Sequence, residues 1–202
     1  MSKANLFVVS APSGAGKTTV VNAALERLDS IARTVSHTTR QPRGNERDGV
    51  DYHFVDMAEF QEGLANDHFA EHAEVFGRFY GTSTEEVEGK IGLGRDAVAV
   101  IDWQGARSMR ARYPESITIF IVPPSLESLR QRLTGRGEDA PEEIERRLSE
   151  ALSEASHYRE FDYVLVNDDL DEAVDGFIKI VEVARMHRER RSGVGLLADL
   201  AD

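Results

Sequence analysis

Two hydrophobic rhythms alternate along this chain. In the first, a short apolar run is followed by a helical period. Residues 5–10, NLFVVS, are apolar and too short for a helix, which predicts a buried strand. Residues 17–28, KTTVVNAALERL, put Val20, Val21, Ala24, Leu25 and Leu28 near one helical face. The rhythm returns with AVAVID (residues 97–102) as a strand and QGARSMRARY as a helix behind it. It returns again with ITIFIV (117–122), stopped by Pro123 and Pro124 and followed by the helical LESLRQRLTG. A polar turn, GRGEDAPEE, leads into a long charged helix that runs to about Tyr158, with Pro141 tolerable in its first turn. YVLV (163–166) predicts the last strand, and residues 171 to about 190 the last helix. Apolar strands alternating with helices predict a parallel sheet covered on both faces.

The second rhythm occupies residues 33–93, which are polar and aromatic with short alternating runs such as DYHFV. Asp56 with Glu59, and Ser83 with Glu86, have the spacing of capping boxes ahead of two short helices. This segment predicts an inserted lobe. The expected organisation is one α/β domain over 1–202: a core from 1–36 and 96–202, a lobe at 37–95, and within the core a polar connection with its helical flanks at about 132–147. There are no repeats and no long linker. The tail after Arg191, SGVGLLADLAD, reads either as a frayed end or as a small docking helix.

Composition narrows the chemistry. With 202 residues, 41% of them hydrophobic, the chain can bury one sizeable core. It has no cysteine, which removes disulfides, thiolate metal sites and cysteine nucleophiles. No apolar run approaches the roughly 20 residues that span a bilayer, and no secretory pattern opens the chain, so a cytoplasmic location is expected. The net charge of −12 repels nucleic acid and anionic membranes at long range. Neither is an expected partner. An anion site in such a chain has to be built locally, from arginine, lysine and backbone N–H groups.

Residues 11–18, APSGAGKT, supply such a site. They match the phosphate-loop pattern G-x-x-x-x-G-K-[S/T] except that Ala11 replaces the first glycine. They also stand where that pattern works, between a strand and a helix. Gly14 and Gly16 let the backbone wrap an anion, and the helix beginning near Lys17 adds the positive end of its dipole. Lys17 is placed to reach β- and γ-phosphates, and the Thr18 hydroxyl to sit on Mg²⁺. A phosphate loop alone does not separate a kinase from a hydrolase.

Further on, VSHTTRQPRGNERDGVDYHFV sets Arg40 and Arg43 three residues apart in an extended segment, with Tyr52 nine further along. Arginines there can fork onto phosphate oxygens; by charge pattern alone the stretch is equally a solvated basic turn. HFAEH (His68 to His72) matches the zinc pattern H-x-x-E-H. That pattern needs a helix, whereas this run is aromatic and strand-like. The other histidines are read as scattered.

Taken together, VSAPSGAGKTT, VSHTTRQPR, G-x-DYHFV, FAEHAEVFGRFYGTS, IDWQGA, PPS, RLTGRG and VNDD make the sequence resemble a guanylate kinase over almost its whole length. The resemblance implies a P-loop kinase with an inserted nucleoside-monophosphate lobe and a lid. It also implies transfer of a phosphoryl group from MgATP to GMP, with dGMP as a second substrate, in purine nucleotide metabolism. On the donor side it assigns Ala11, Pro12, Ser13, Gly14, Ala15, Gly16, Lys17, Thr18 and Thr19 to the ATP phosphates. Arg132, Arg136 and Asn167 complete that side, with Asn167 at the adenine. Mg²⁺ is implied as cofactor, held by Thr18 with phosphates and water.

On the acceptor side, Arg40, Arg43, Tyr52 and Tyr80 fall on the positions that hold the GMP phosphate. Glu71, with Ser36, Thr82 and Asp102, falls where guanine is read. Lys17, Arg40, Arg43, Arg136 and Arg147 are the implied catalytic cations. The chemistry agrees: guanine presents N1–H and an exocyclic NH₂, and an ionised carboxylate only accepts. One departure is Val100, where relatives usually carry a second acid on the strand face shared with Asp102. Two alternatives remain: a scaffold-type domain of the same outline that binds peptides, and a P-loop kinase for another phosphorylated acceptor.

Overall fold

Opposite faces of one strand decide the layers. The computed structural model describes residues 4–75, 77–134 and 141–187. LFVVS forms β1 (Leu6–Ser10), buried at every position. Successive strand side chains point to opposite faces. Phe7 and Val9 therefore enter one layer with Val20, Val21 and Ala24 of α1 (Lys17–Leu25) and with Val174, Phe177 and Val181 of α7 (Leu170–Met186). Leu6 and Val8 enter the other with Val87 of α3 (Thr84–Gly92) and with Ala106 and Met109 of α4 (Trp103–Arg112).

β1 is the middle strand of a five-stranded sheet in the order β2 (Ile31–Arg33), β7 (Asp96–Val100), β1, β8 (Ile117–Val122), β9 (Tyr163–Val166). Every neighbouring pair is parallel, as helical crossovers require. The expected parallel sheet between helices is thus present, with one strand more than the pattern announced. Three residues, IAR, are too few to show a period, so β2 was illegible; it follows Ser30, whose φ is 61°.

Residues 37–83 build a second sheet, in the order β4 (His53–Phe54), β3 (His37–Thr38), β6 (Arg78–Ser83), β5 (Phe69–Val75). α2 (Met57–Ala65) carries the full capping box at Asp56 and Glu59. The second box is half formed. Ser83 accepts from Glu86 N, but the Glu86 carboxylate bonds to Lys90 one turn on. A third small core, Leu129, Leu133, Ile144, Leu148 and Ala151, joins α5 (Leu126–Thr134) to α6 (Pro141–Ala155). The long charged helix gives way to a 3₁₀ turn at Ser156–Glu160. The tail after Arg191 lies outside the described residues. Among those described, no helix is long and apolar enough to cross a membrane.

The second sheet also gathers histidines that look scattered along the chain. The His37 ring lies 4.7 Å from that of His53 and 5.4 Å from that of His68, centroid to centroid. Burial, then the two neighbouring rings, push its pKa down to about 4. The unfolded chain takes up this proton near the ordinary 6.5. Stability is therefore full above that value, falls as pH drops from it, and stops falling below about 4. Replacing His37→Gln should flatten the acid side of a melting-temperature profile between pH 7 and 4.5 by a few degrees. Parallel profiles for wild type and variant would remove His37 from the account.

Candidate active site

The phosphate loop leaves the buried end of β1 at Ser10 and turns into α1 at Gly16. Gly14 and Gly16 have φ of 85° and 90°, conformations that a side chain disfavours. Gly16 is doubly required: a Cβ there would meet Asn167 Nδ2 at 2.4 Å. Asn167 is buried and donates from Nδ2 to the Ala15 carbonyl at 2.8 Å. Arg132 in turn donates to the Asn167 carbonyl at 2.7 Å. Asn167 and Arg132 thus brace the loop from behind. Ser13 N–H donates to the Glu154 carboxylate of α6 at 2.8 Å. Thr18 and Thr19 stand exposed in the first turn of α1.

Lys17 is half-buried and donates from Nζ to the Ile101 carbonyl at 2.7 Å. Its burial lowers its pKa; the carboxylates of Asp102, Glu154 and Glu71 work the other way.

On the facing side, Glu71 is 3% exposed. Its Oε1 accepts from Thr82 N at 2.9 Å and from the Thr82 hydroxyl at 2.6 Å. The Thr82 proton is thereby committed, so Ser36, 2.9 Å away, donates to Thr82 Oγ1. Burial and the nearby Asp102 push the Glu71 pKa up to about 7, against the two Thr82 bonds and Lys17. Asp102, expected as the last residue of a strand over 97–102, lies two residues past its end. β7 ends at Val100, and Asp102 caps α4, its Oδ1 accepting from Gln104 N and Gly105 N at 2.7 and 3.0 Å. Asp102 and Val100 still open on one cavity of about 220 Å³ with Lys17, Ser36, Arg43, Tyr52, Glu71 and Tyr80.

A profile of the guanylate kinase family matches residues 3–184. The chain belongs to the guanylate kinase family. It is 52% identical to the guanylate kinase of Alkalilimnicola ehrlichii over 197 residues, which are 98% of this chain and 97% of that one. It is 47% identical to that of Chromohalobacter salexigens over 201 residues, covering 98% and 94%. The crystal structure of guanylate kinase from Anaplasma phagocytophilum superposes with a TM-score of 0.81 at 37% identity, covering 99% of this chain and 96% of that one. The fold is that of a P-loop kinase, and the chain is an enzyme of the guanylate kinase type.

Seen within this guanylate kinase fold, two residues stand differently from their sequence reading. Arg40 is not a free fork. It is buried, and Glu46 grips its guanidinium with both oxygens at 2.8 and 3.0 Å. The rings of Tyr52 and Phe54 lie 5.1 and 5.8 Å from it. The pairing raises the Arg40 pKa further, so its charge is permanent. Asn167 turns its amide into the phosphate loop. Glu71, by contrast, lies in a strand as its run predicts, and bonds to Thr82, away from a helical H-x-x-E-H arrangement.

Arg136 and its flanking glycines lie outside the described residues. Arg147 lies half-buried on α6, seven residues before Glu154. Seven residues are nearly two turns, so both share one face of that helix. Glu46 and Glu154 were missed in the sequence. One sits in a charged turn and the other on a charged helix, and neither pattern distinguishes them from solvated residues.

Proposed function

We propose that this chain transfers the γ-phosphoryl group of ATP to the phosphate of GMP, giving ADP and GDP. The observation that carries the reading is a single cavity shared by the phosphate-loop lysine and the Glu71 carboxylate. A GMP phosphate oxygen attacks the γ-phosphorus in line, and the bond to the β-phosphate oxygen breaks. No side chain is needed as nucleophile. Positioning and positive charge do the work, from Lys17, Arg40, Arg43 and Arg147, with Arg136 assigned to close over the transferring group. Glu46 fixes Arg40 as a stationary charge behind Tyr52. Tyr52, Tyr80 and Arg43 take the acceptor phosphate, and residues 11–19 with Arg132 the donor phosphates. Asn167 acts by holding the loop under the nucleotide.

Guanine is read by acceptors. Glu71 Oε1 is occupied by Thr82, which leaves Oε2, and Asp102 Oδ2 on the same cavity, to accept from N1–H and the exocyclic NH₂. dGMP presents the same guanine edge and phosphate and is the second substrate. The exposed Thr18 hydroxyl lines the same opening as Lys17. It fits a Mg²⁺ ion that keeps most of its ligands as water and phosphate. Bound there, Mg²⁺ would neutralise charge on the donor phosphates. The reaction belongs to purine nucleotide metabolism in the cytoplasm, with no nucleic acid or membrane partner.

The deciding experiment is a coupled ADP-release assay with a panel of nucleoside monophosphates. GMP and dGMP should turn over, and AMP, CMP, UMP and dTMP should be slower by at least about a hundredfold in kcat/KM. Absence of ADP release would favour the peptide-binding alternative. Equal rates with another monophosphate would favour the alternative kinase.

A further inference from the structure

We infer that Gly105, in the first turn of α4, is a specificity-determining position: it keeps the space in which the Glu71 carboxylate must lie to read guanine. The inference rests on the role proposed for Glu71.

Gly105 has no backbone reason to be glycine. It sits in ordinary α-helical conformation, outside the positive-φ residues, where alanine is the better helix former. The reason lies in front of its Cα. A Cβ built there would stand 2.5 Å from Glu71 Oε2 and 3.2 Å from Glu71 Cδ, with Ile101 Cδ1 next at 3.4 Å. Gly63 and Gly176, also helical, meet the apolar side chains of Phe69 and Leu165 instead. The first turn of α4 is therefore trimmed against a carboxylate. It already holds a second one, because Gly105 N–H donates to Asp102 at 3.0 Å. Both acidic groups proposed to face guanine are thus set by the same helix start. The absent side chain also lets Glu71 approach the positive end of the α4 dipole, where an ionised carboxylate is favoured.

Glu71 cannot simply step aside for a methyl group. Its Oε1 is tied to Thr82 by two hydrogen bonds. Displacement of Oε2 must rotate the carboxylate about that tether towards the cavity, or break the tether. Either motion misplaces the acceptor that guanine needs. The collision is on the acceptor side: the three nearest atoms a Cβ at Gly105 would meet belong to Glu71 and Ile101.

The test compares Gly105→Ala, Glu71→Asp and the double variant. For Gly105→Ala we expect kcat/KM for GMP to fall about 10- to 100-fold, mostly through KM, with KM for ATP within about twofold. Glu71→Asp alone shortens the carboxylate and should also lose at least about tenfold. In the double variant the shorter side chain makes room for the methyl group. Its loss should then be clearly smaller than the product of the two single losses.

Should Gly105→Ala fail to fold, the double variant should fold, since the collision is relieved. Failure of both overturns the inference. So does a Gly105→Ala enzyme within twofold of wild type for GMP, a loss shared equally with ATP, or single losses that simply multiply. Glu71→Gln separates the two claims. If it leaves the GMP-to-AMP preference intact, the proposed role of Glu71 falls and the inference with it. If it destroys the preference while Gly105→Ala does not, only the role of Gly105 falls.

Discussion

Lys17→Ala should lower kcat by about a hundred- to a thousandfold while the melting temperature moves by no more than a few degrees. The stability half follows from where the ammonium sits. It is half-buried, not in an apolar cluster, and it donates to the Ile101 carbonyl. That carbonyl opens on the cavity, so water can replace the lost donor. Burial already disfavours the charged lysine, and its removal returns that cost. The activity half follows from the surroundings. Asp102, Glu154 and Glu71 all place negative charge near Nζ. Without the lysine, an incoming triphosphate meets carboxylates with no fixed cation in the loop. Transition-state charge then lacks its nearest partner. The check is steady-state kinetics beside a thermal melt. Activity lost only in step with the fraction unfolded would contradict the phosphate-loop role.

Glu71→Gln should make the protein no less stable and much less selective. Thr82 dictates how the amide sits. Its N–H and hydroxyl both donate to the Oε1 position, so the glutamine oxygen must go there. The NH₂ then takes the Oε2 position and faces the donors of guanine. An unpaired buried donor costs about 1–3 kcal/mol, more when the lost partner was charged. We therefore expect kcat/KM for GMP to fall by about 10- to 100-fold or more. AMP offers an acceptor at N1, so its slow reaction should change little, and KM for ATP should hardly move.

The pH dependence gives an independent reading. With the Glu71 pKa raised to about 7 in the folded state, the folded chain keeps a proton that the unfolded chain releases near 4.5. Stability therefore falls as pH rises between those values, and the cost is complete above about 7. At pH 8 the glutamine variant should melt at or above the wild type. In the wild type, KM for GMP should drop as pH rises through 7, where Glu71 becomes ionised, and this step should vanish in the variant. An unchanged GMP-to-AMP ratio would remove Glu71 from the guanine site.

Periodicity made the scaffold legible. In the parallel sheet every strand but β2 was marked by its apolar run, and β8, α5 and β9 fall within a residue or so of where the pattern ends them. The capping box at Asp56 was legible because both partners are local. Ser83 shows the limit: the spacing was right, but Glu86 had a competing partner in Lys90. Motif and resemblance nominated the site residues, and their contacts were not legible. Nothing in a charged turn says that Glu46 will close on Arg40, and nothing in QGA says what stands before Gly105. Such pairings join segments distant in sequence, and only the folded backbone brings them within reach. Lys17 illustrates the same point. Its position suggests an exposed junction, yet the end of β7 shelters it.

The strand order carries a consequence for how the chain is made. β1 comes first in synthesis, but its two neighbours come late: Leu6 pairs with Ala97, and Phe7 with Ile117. The second sheet closes between His37 and Ser83, much of it through neighbouring β5 and β6. A chain leaving the ribosome can therefore assemble the second sheet while β1, buried at every position in the fold, still waits unpaired. Long-range parallel pairing of this kind is slow. An exposed LFVVS is then the segment most in need of shielding during translation.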